Sequence, residues 1–431
     1  MLGYYLDLAL HSLSRNVALT LLTIVAVAVG IGASMTVFTM LHGLSSDPIP
    51  EKSSQLFVPL IDNWGMFENF DSSLWTQLSY SDAMALTRAA HARRQSAMYA
   101  IHSSVIPSNA DVKPFSATGR AVSKDFFEMF NVGFATGGAW SSADDEDRAN
   151  VVVLSSRLAD KVFAGQGSVG KTISLDDQDY RVVGVIKRWD PLPRFYDLSG
   201  SRTEDFFIPF STAIARQIPS AGGNMCLHEP APGWLGHLNS ECTWVGFWVE
   251  LPTPNDVQSF KAYLHAYAED QQRLGRFHWA PHVALYDVRE WLKREKVVPD
   301  EVRVASFVAF GFLLVCILNA VALMLAKFSN RANEFSVRCA LGASKADIFG
   351  QCIAETALVG AAGGLLGLAL TALGLRAERS IVNEDLARLT HLDYGMVFLT
   401  LTLAVLATVS SGLYPTWRAS RVQPAAHLRA R

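Results

Sequence analysis

Charge is scarce in this chain and is missing altogether from three long stretches. Only 18% of the 431 residues are Asp, Glu, Lys or Arg, against about 25% in an ordinary soluble domain. Asn16–Ser46, Val304–Ala326 and Tyr394–Trp417 carry none, and Ile348–Leu375 carries only Glu355. A helix needs about 20 apolar residues to cross a bilayer, so each run is long enough to span. A wholly soluble protein is excluded. A basic surplus is also lacking: the net charge is −3, and no basic surface suggests nucleic acid. Cysteine is rare, with five in all, so a disulfide framework cannot organise the fold. The sequence offers no nucleophile–base set, no paired carboxylates and no metal-binding spacing. A non-catalytic chain is the expectation.

The small net charge hides a division. Leu44 to Asp300 holds 24 Lys/Arg against 31 Asp/Glu, and the rest of the chain holds 13 against 9. An acidic soluble domain and a basic membrane part follow. Arg15, Lys327, Arg331, Arg338, Lys345, Arg418, Arg421, Arg429 and Arg431 all flank the runs on one side, which the positive-inside rule assigns to the cytoplasm. The expected order is a cytoplasmic segment and first span (1–46), an outer domain (47–300), a second span (301–327) and a cytoplasmic turn (328–347). A third span (348–375), an outer connector (376–393), a fourth span (394–417) and a basic cytoplasmic tail (418–431) complete it. The first run is too long for the apolar core of a signal peptide and ends in no small-residue cleavage site, so it reads as an uncleaved anchor.

Within the outer domain, Gln55–Ile61 reads as a strand, Ser81–Ala90 as a helix and Ser96–Ile106 as a strand. The order recurs near the far end. Thr243–Leu251 is strand-like, Val257, Phe260, Leu264 and Tyr267 form a helical stripe, and Val283–Val288 is a strand again. Between the two units, residues 112–220 look mostly β, and Thr172–Lys187 alternates as a hairpin does. The fold class expected is an α-helical membrane protein with four transmembrane helices plus an extracytoplasmic α+β domain. That domain is a split βαβ module with an inserted, mostly β subdomain. Seven tryptophans (Trp64, Trp75, Trp140, Trp189, Trp234, Trp244 and Trp248) lie outside the membrane, where core packing is their default role.

The turn at 328–347 is short, basic and amphipathic. Glu334 to Cys339 has room for one short helix. Gly342 suits its C-terminal end, where a left-handed conformation is often needed, and Ser344 with Asp347 has capping-box spacing for the next helix. Asn333–Gly342, NEFSVRCALG, followed by Ala343-Ser344-Lys345, resembles the REIGIRRALGAS signature of the FtsX/MacB-type ABC transporter permeases. Tyr414–Arg429, YPTWRASRVQPAAHLR, resembles that family's closing YPAWRAARLDPVEALR.

A further match points elsewhere. Gly165–Thr172 reads GQGSVGKT, the P-loop pattern G-x-x-x-x-G-K-[ST]. A P-loop needs a strand before it and a helix after it. Here Arg157–Phe163 looks helical and the residues after it look like a hairpin, so the match is read as accidental. Leu158–Val185 instead resembles the MacB-like periplasmic segment LFGGEDPVGKTIRLNGRPFTVVGV. Val122–Phe130 and Val151–Val162 also resemble pieces of that domain.

Two cysteines, Cys226 and Cys242, fall in the outer domain, and a disulfide between them suits an oxidising compartment. Zinc binding with His228 and His237, and free thiols, are the alternatives; the spacing matches no standard zinc finger. Ala26, Gly30 and Ser34 form a small-xxx-small stripe. Gly360 with Gly364 and Gly363 with Gly367 are G-x-x-x-G pairs, so all seven are expected to pack helices. Glu355 lies inside a span, where an ionisable group invites a proton- or substrate-handling role. The plainer expectation is a carboxylate bonded to a neighbouring helix.

The resemblance implies a permease subunit of a MacB-like exporter that binds no cofactor itself. ATP and magnesium would sit on a separate ABC ATPase, because no authentic P-loop is present. It also implies a second permease chain, a periplasmic adaptor with an outer-membrane channel, and residence in the bacterial inner membrane with both termini cytoplasmic. Arg331, Glu334, Phe335, Arg338, Leu341, Gly342, Ala343 and Ser344 would form the coupling turn, with Arg331, Glu334 and Arg338 meeting the motor. Lipoprotein release, as in the Lol permeases, and FtsX-like signalling to a cell-wall hydrolase remain alternatives. A membrane-anchored binding module without a motor is a fourth.

Overall fold

The computed structural model describes residues 17–64, 76–107, 113–164, 167–198, 203–280 and 282–381, with scattered positions between 395 and 409. The chain divides into two units, residues 46–297 and the flanking segments 1–45 and 298–431. Helix α1 (Val17–Ser45) opens the described chain. Its 29 residues rise about 44 Å at 1.5 Å each, more than the ~30 Å hydrocarbon core.

Residues 46–297 fold around one sheet. Its first segment gives β1 (Leu56–Ile61), β2 (Leu78–Ser79), α2 (Tyr80–Ala89), β3 (Arg94–Ile106) and β4 (Phe115–Val122). Then come α3 (Phe126–Met129), β5 (Phe134–Gly137), α4 (Ser142–Glu146), β6 (Val151–Ser155), α5 (Ser156–Phe163), β7 (Thr172–Leu175) and β8 (Gln178–Ile186). The unit finishes with β9 (Phe206–Pro209), α6 (Phe210–Ala215), α7 (Trp234–Leu238), β10 (Thr243–Glu250), α8 (Pro254–Arg273), β11 (Val283–Asp287) and α9 (Val288–Arg294).

Strands run in the order β11-β1-β10-β3-β4-β9-β6-β8-β5. The first four come from the two βαβ units, interleaved: β1 lies between β10 and β11, and β10 lies between β1 and β3, all antiparallel. Each unit's two strands therefore run parallel but are separated by a strand of the other, the split βαβ arrangement. Helix starts follow local chemistry. Ser79, Ser155, Thr253 and Asp287 each accept a first-turn backbone N–H at a helix start, and the last two complete capping boxes.

Both faces of the sheet are buried, because alternate residues feed two cores. Phe57, Tyr99, Ile101, Leu154, Phe206 and Trp244 pack with Leu86, Leu158, Phe210, Phe260 and Leu264 of the helices. Leu56, Val58, Met98, Val153, Phe207 and Trp248 pack with Phe126, Phe127, Phe195 and Trp291. Trp140, Trp244 and Trp248 are fully buried core residues.

One expectation changes here. Residues 112–220 do not form a sheet of their own. They extend the split βαβ sheet, joined through the β3–β4 pairing from Met98–Val122 to Val105–Phe115, and they also carry α3 to α6. The cause is the length of β3. Its 13 residues pair with β10 at Arg94–Met98 and offer Met98–Val105 to β4.

The membrane unit continues with α10 (Asp300–Asn330), α11 (Ala332–Ala340) and α12 (Lys345–Ile381). Among the described residues, three helices are long and apolar enough to cross a membrane: Val17–Ser45, Asp300–Asn330 and Ala346–Ala377. The fourth expected span, 394–417, lies outside the described residues apart from scattered helical positions, and the tail 418–431 lies outside them entirely. Helix α12 continues to Ile381, past the expected start of the connector at 376.

Candidate functional site

Helix α11 is the short helix of the turn between α10 and α12. Nine residues are too few to hold a helix in isolation, so tertiary contacts must fix it. Phe335, 2% exposed, supplies them by packing with Met324 and Phe328 of α10 and Ile348 and Cys352 of α12. Gly342 ends α11 with φ +103°, a backbone conformation that strains L side chains. The Leu341 N–H donates to the Val337 carbonyl and the Ala343 N–H to the Arg338 carbonyl, which closes the helix end. Ser344 then starts α12. Its hydroxyl accepts from the Asp347 N–H at 3.2 Å, and the Asp347 carboxylate accepts from the Ser344 N–H at 3.1 Å.

Three charges of the turn, Arg331, Glu334 and Arg338, are paired with one another and with α12. Glu355, on α12, is fully buried and ion-pairs with Lys327 of α10 and, at 3.1 Å, with Arg331. Lys327 Nζ also donates to Thr20 Oγ1 of α1 at 2.9 Å. Arg331 Nε lies 3.2 Å from Glu334, whose other oxygen accepts from Arg338 at 2.7 Å. Arg338 also donates to Gln351 Oε1 on α12 at 3.0 Å. Burial works against the Arg331 charge, but its bond to Glu334 and the fields of Glu355 and Glu334 more than offset it, so its pKa is raised.

Arg331, Glu334 and Arg338 are bound to one another and to α12; Arg331 is only 7% exposed, while the Arg338 and Glu334 side chains remain 34% and 26% exposed. The turn also presents two apolar side chains: Leu341 is 84% exposed and Val337 57%. Ser344 is exposed and Ala343 half-buried. Sequence reasoning reached Glu355 but not its partners. Lys327 was read only for topology, and Thr20 and Gln351 were not singled out. A usable signal was there: Lys327 and Arg331 are four apart, one helical turn, below a span with a single acid.

The small residues divide between two contacts of α1. A Cβ on Gly30 would lie 2.7 Å from Cys316 Cβ of α10, and Ser34 Oγ donates to the Ala309 carbonyl at 2.9 Å. Ala26 is half-buried beside them. On the α12 side, Gly363 meets Val27 and Gly367 meets Ile31, with added Cβ atoms at 2.9 and 3.1 Å. Gly360 and Gly364 are buried on the same helix. Gly32 and Gly374, not anticipated, approach Leu370 and Thr36 in the same way.

In the outer unit the P-loop-like segment sits between α5 and β7. Two of its described backbone N–H groups are already used: Gly170 donates to Val182 and Lys171 to Ser168. A phosphate cradle needs such groups free at a helix start, and β7 follows instead. Cys226 and Cys242 are bonded to each other. Among the described residues no group of three or more His, Cys, Asp or Glu could hold a metal.

The family model described as the MacB-like periplasmic core domain matches residues 20–267, and the FtsX-like permease C-terminal model matches 306–424. The macrolide export ATP-binding/permease protein MacB of Acinetobacter baylyi is 23% identical, covering 98% of this chain and 59% of that protein. MacB of Escherichia coli K12 is also 23% identical, covering 96% and 58%. The chain thus spans under two thirds of the length of these relatives. The solved periplasmic region of MacB from Actinobacillus actinomycetemcomitans aligns with TM-score 0.37 at 16% identity, covering 56% of this chain and 92% of that one. With its two domain models matching over the outer unit and the membrane helices, the chain belongs to the MacB/FtsX-type family of ABC transporter permeases.

Proposed function

We propose that this chain is the membrane subunit of a MacB-like ABC exporter. It passes the motion of a separate ATPase to its periplasmic domain, which moves cargo outward. The observation that carries the reading is the turn at 331–344. It is a short helix braced from within by Phe335 and by ion pairs, and it shows Leu341 outward. A limp loop could not transmit force, whereas a braced knob with an exposed apolar contact can. In this reading ATP and magnesium are bound by the partner, and this chain does no chemistry. A second permease chain completes the machine, and an adaptor with an outer-membrane channel serves the exporter form.

The test is isolation of the tagged full chain from its native membrane. An ABC ATPase with intact Walker motifs should come down with it, and its ATPase rate should depend on the permease. A full-length chain that carries none would end the exporter reading and leave a membrane-anchored binding module.

A further inference from the structure

We infer that Glu355 is a positioning residue for energy coupling: one buried carboxylate that ties the turn to three membrane helices at once. The inference rests on the coupling reading above and adds the side chain through which the turn is held.

The geometry is specific. Glu355 is 0% exposed, and its two oxygens have separate cationic partners, Lys327 on α10 and Arg331 in the turn. Lys327 continues the chain of contacts to Thr20 on α1. Arg331 continues it through Glu334 to Arg338, which returns to α12 at Gln351. A buried charge is tolerated only when paired. Here one acid lies between two buried cations, of which Arg331 has a second carboxylate in Glu334, so it is the member whose removal sets Lys327 and Arg331 against each other.

Apolar packing at Phe335 orders α11, and the Arg331 bonds to Glu355 and Glu334 add a directional restraint that packing lacks. A displacement of the turn must therefore move α1, α10 and α12 together. Helix α1 ends at Ser45 and α10 begins at Asp300, so these two helices connect by chain to the two ends of residues 46–297.

The experiment uses the full chain with its ATPase in nanodiscs. Two quantities are read: ATPase retained on the permease, and the change in hydrogen exchange over residues 46–297 when ATP is added. Glu355→Gln should keep the ATPase, because Leu341 is untouched. It should lose the ATP-dependent exchange change at least about fivefold, a usual size for coupling between sites. Glu355→Asp, which keeps the charge, should retain most of it. Should Glu355→Gln fail to fold, Lys327→Met/Glu355→Gln removes the opposed charge and leaves Arg331 its bond to Glu334. That double variant should bind the ATPase and still show no exchange change.

A wild-type response in Glu355→Gln, or full recovery in the neutral double variant, would overturn the inference while leaving the coupling reading intact. A wild-type chain that binds no ATPase would overturn that reading, and this inference with it.

Discussion

Lys327 and Glu355, 28 residues apart in sequence and on different helices, form an ion pair with side chains 1% and 0% exposed. Breaking a buried pair by removing one partner typically costs about 3–5 kcal/mol, whereas removing both can be neutral. Lys327→Met and Glu355→Leu should each lower the thermal stability of the membrane unit in detergent, and Lys327→Met/Glu355→Leu should recover much of the loss. Purely additive effects would mean the pair is not energetically coupled.

Close approach of α1 to α10 at Gly30 gives a second outcome. Gly30→Leu would place a side chain where a Cβ alone lies 2.7 Å from Cys316. Overpacking of this kind costs about 1–3 kcal/mol. Gly311→Ala on α10, with nothing within 4 Å, is the control and should be neutral or stabilising by up to about 1 kcal/mol. Thermal melts of the two purified variants make the comparison.

In the outer unit, the disulfide closes a loop with a sequence separation of 16. Chain entropy assigns such a loop about 3 kcal/mol. Cys226→Ser/Cys242→Ser should shift the urea midpoint downward, read by tryptophan fluorescence, and reductant should shift the wild type to the same place. An unchanged midpoint in both would mean the cross-link does not constrain the unfolded chain.

The turn chemistry was visible in the sequence. Gly342 and the Ser344–Asp347 spacing become a positive-φ helix end and a capping box because both effects depend only on residues within one turn. The split βαβ order was visible for a similar reason, since each unit repeats strand, helix and strand locally. The long-range pairings were hidden. Nothing local shows that β4 pairs in parallel with β9, at Gly119 to Phe206, and so places residues 112–220 on the same sheet. The facing of α11 was hidden too. Nine residues with charges at Glu334 and Arg338 and apolar groups at Phe335 and Val337 allow more than one buried side, and only the partners on α10 and α12 decide between them.

Lys171 provides a check on the accidental P-loop. Its ammonium lies 5.3 Å from the Phe163 ring centre, a contact worth about 0.5–1 kcal/mol at an exposed site. Lys171→Ala should leave partner ATPase activity unchanged, with at most a small loss of stability. Loss of ATP turnover as complete as that from a motor's own Walker lysine would show that the segment binds nucleotide.

The most direct measurement is the amount of ATPase that copurifies with Leu341→Asp, compared with the wild type at equal permease. Leu341 is 84% exposed at the tip of the braced turn, so the substitution leaves the fold alone and places a charge in the proposed contact. Loss of a central interface anchor costs 2 kcal/mol or more, so retained ATPase should fall by about thirtyfold, and the rate of any surviving complex should fall with it. Gly342→Val, which forces a β-branched residue to φ +103°, should give the same loss while residues 46–297 stay folded. ATPase binding and turnover at wild-type levels in both variants would contradict the claim that this turn couples the motor to the membrane.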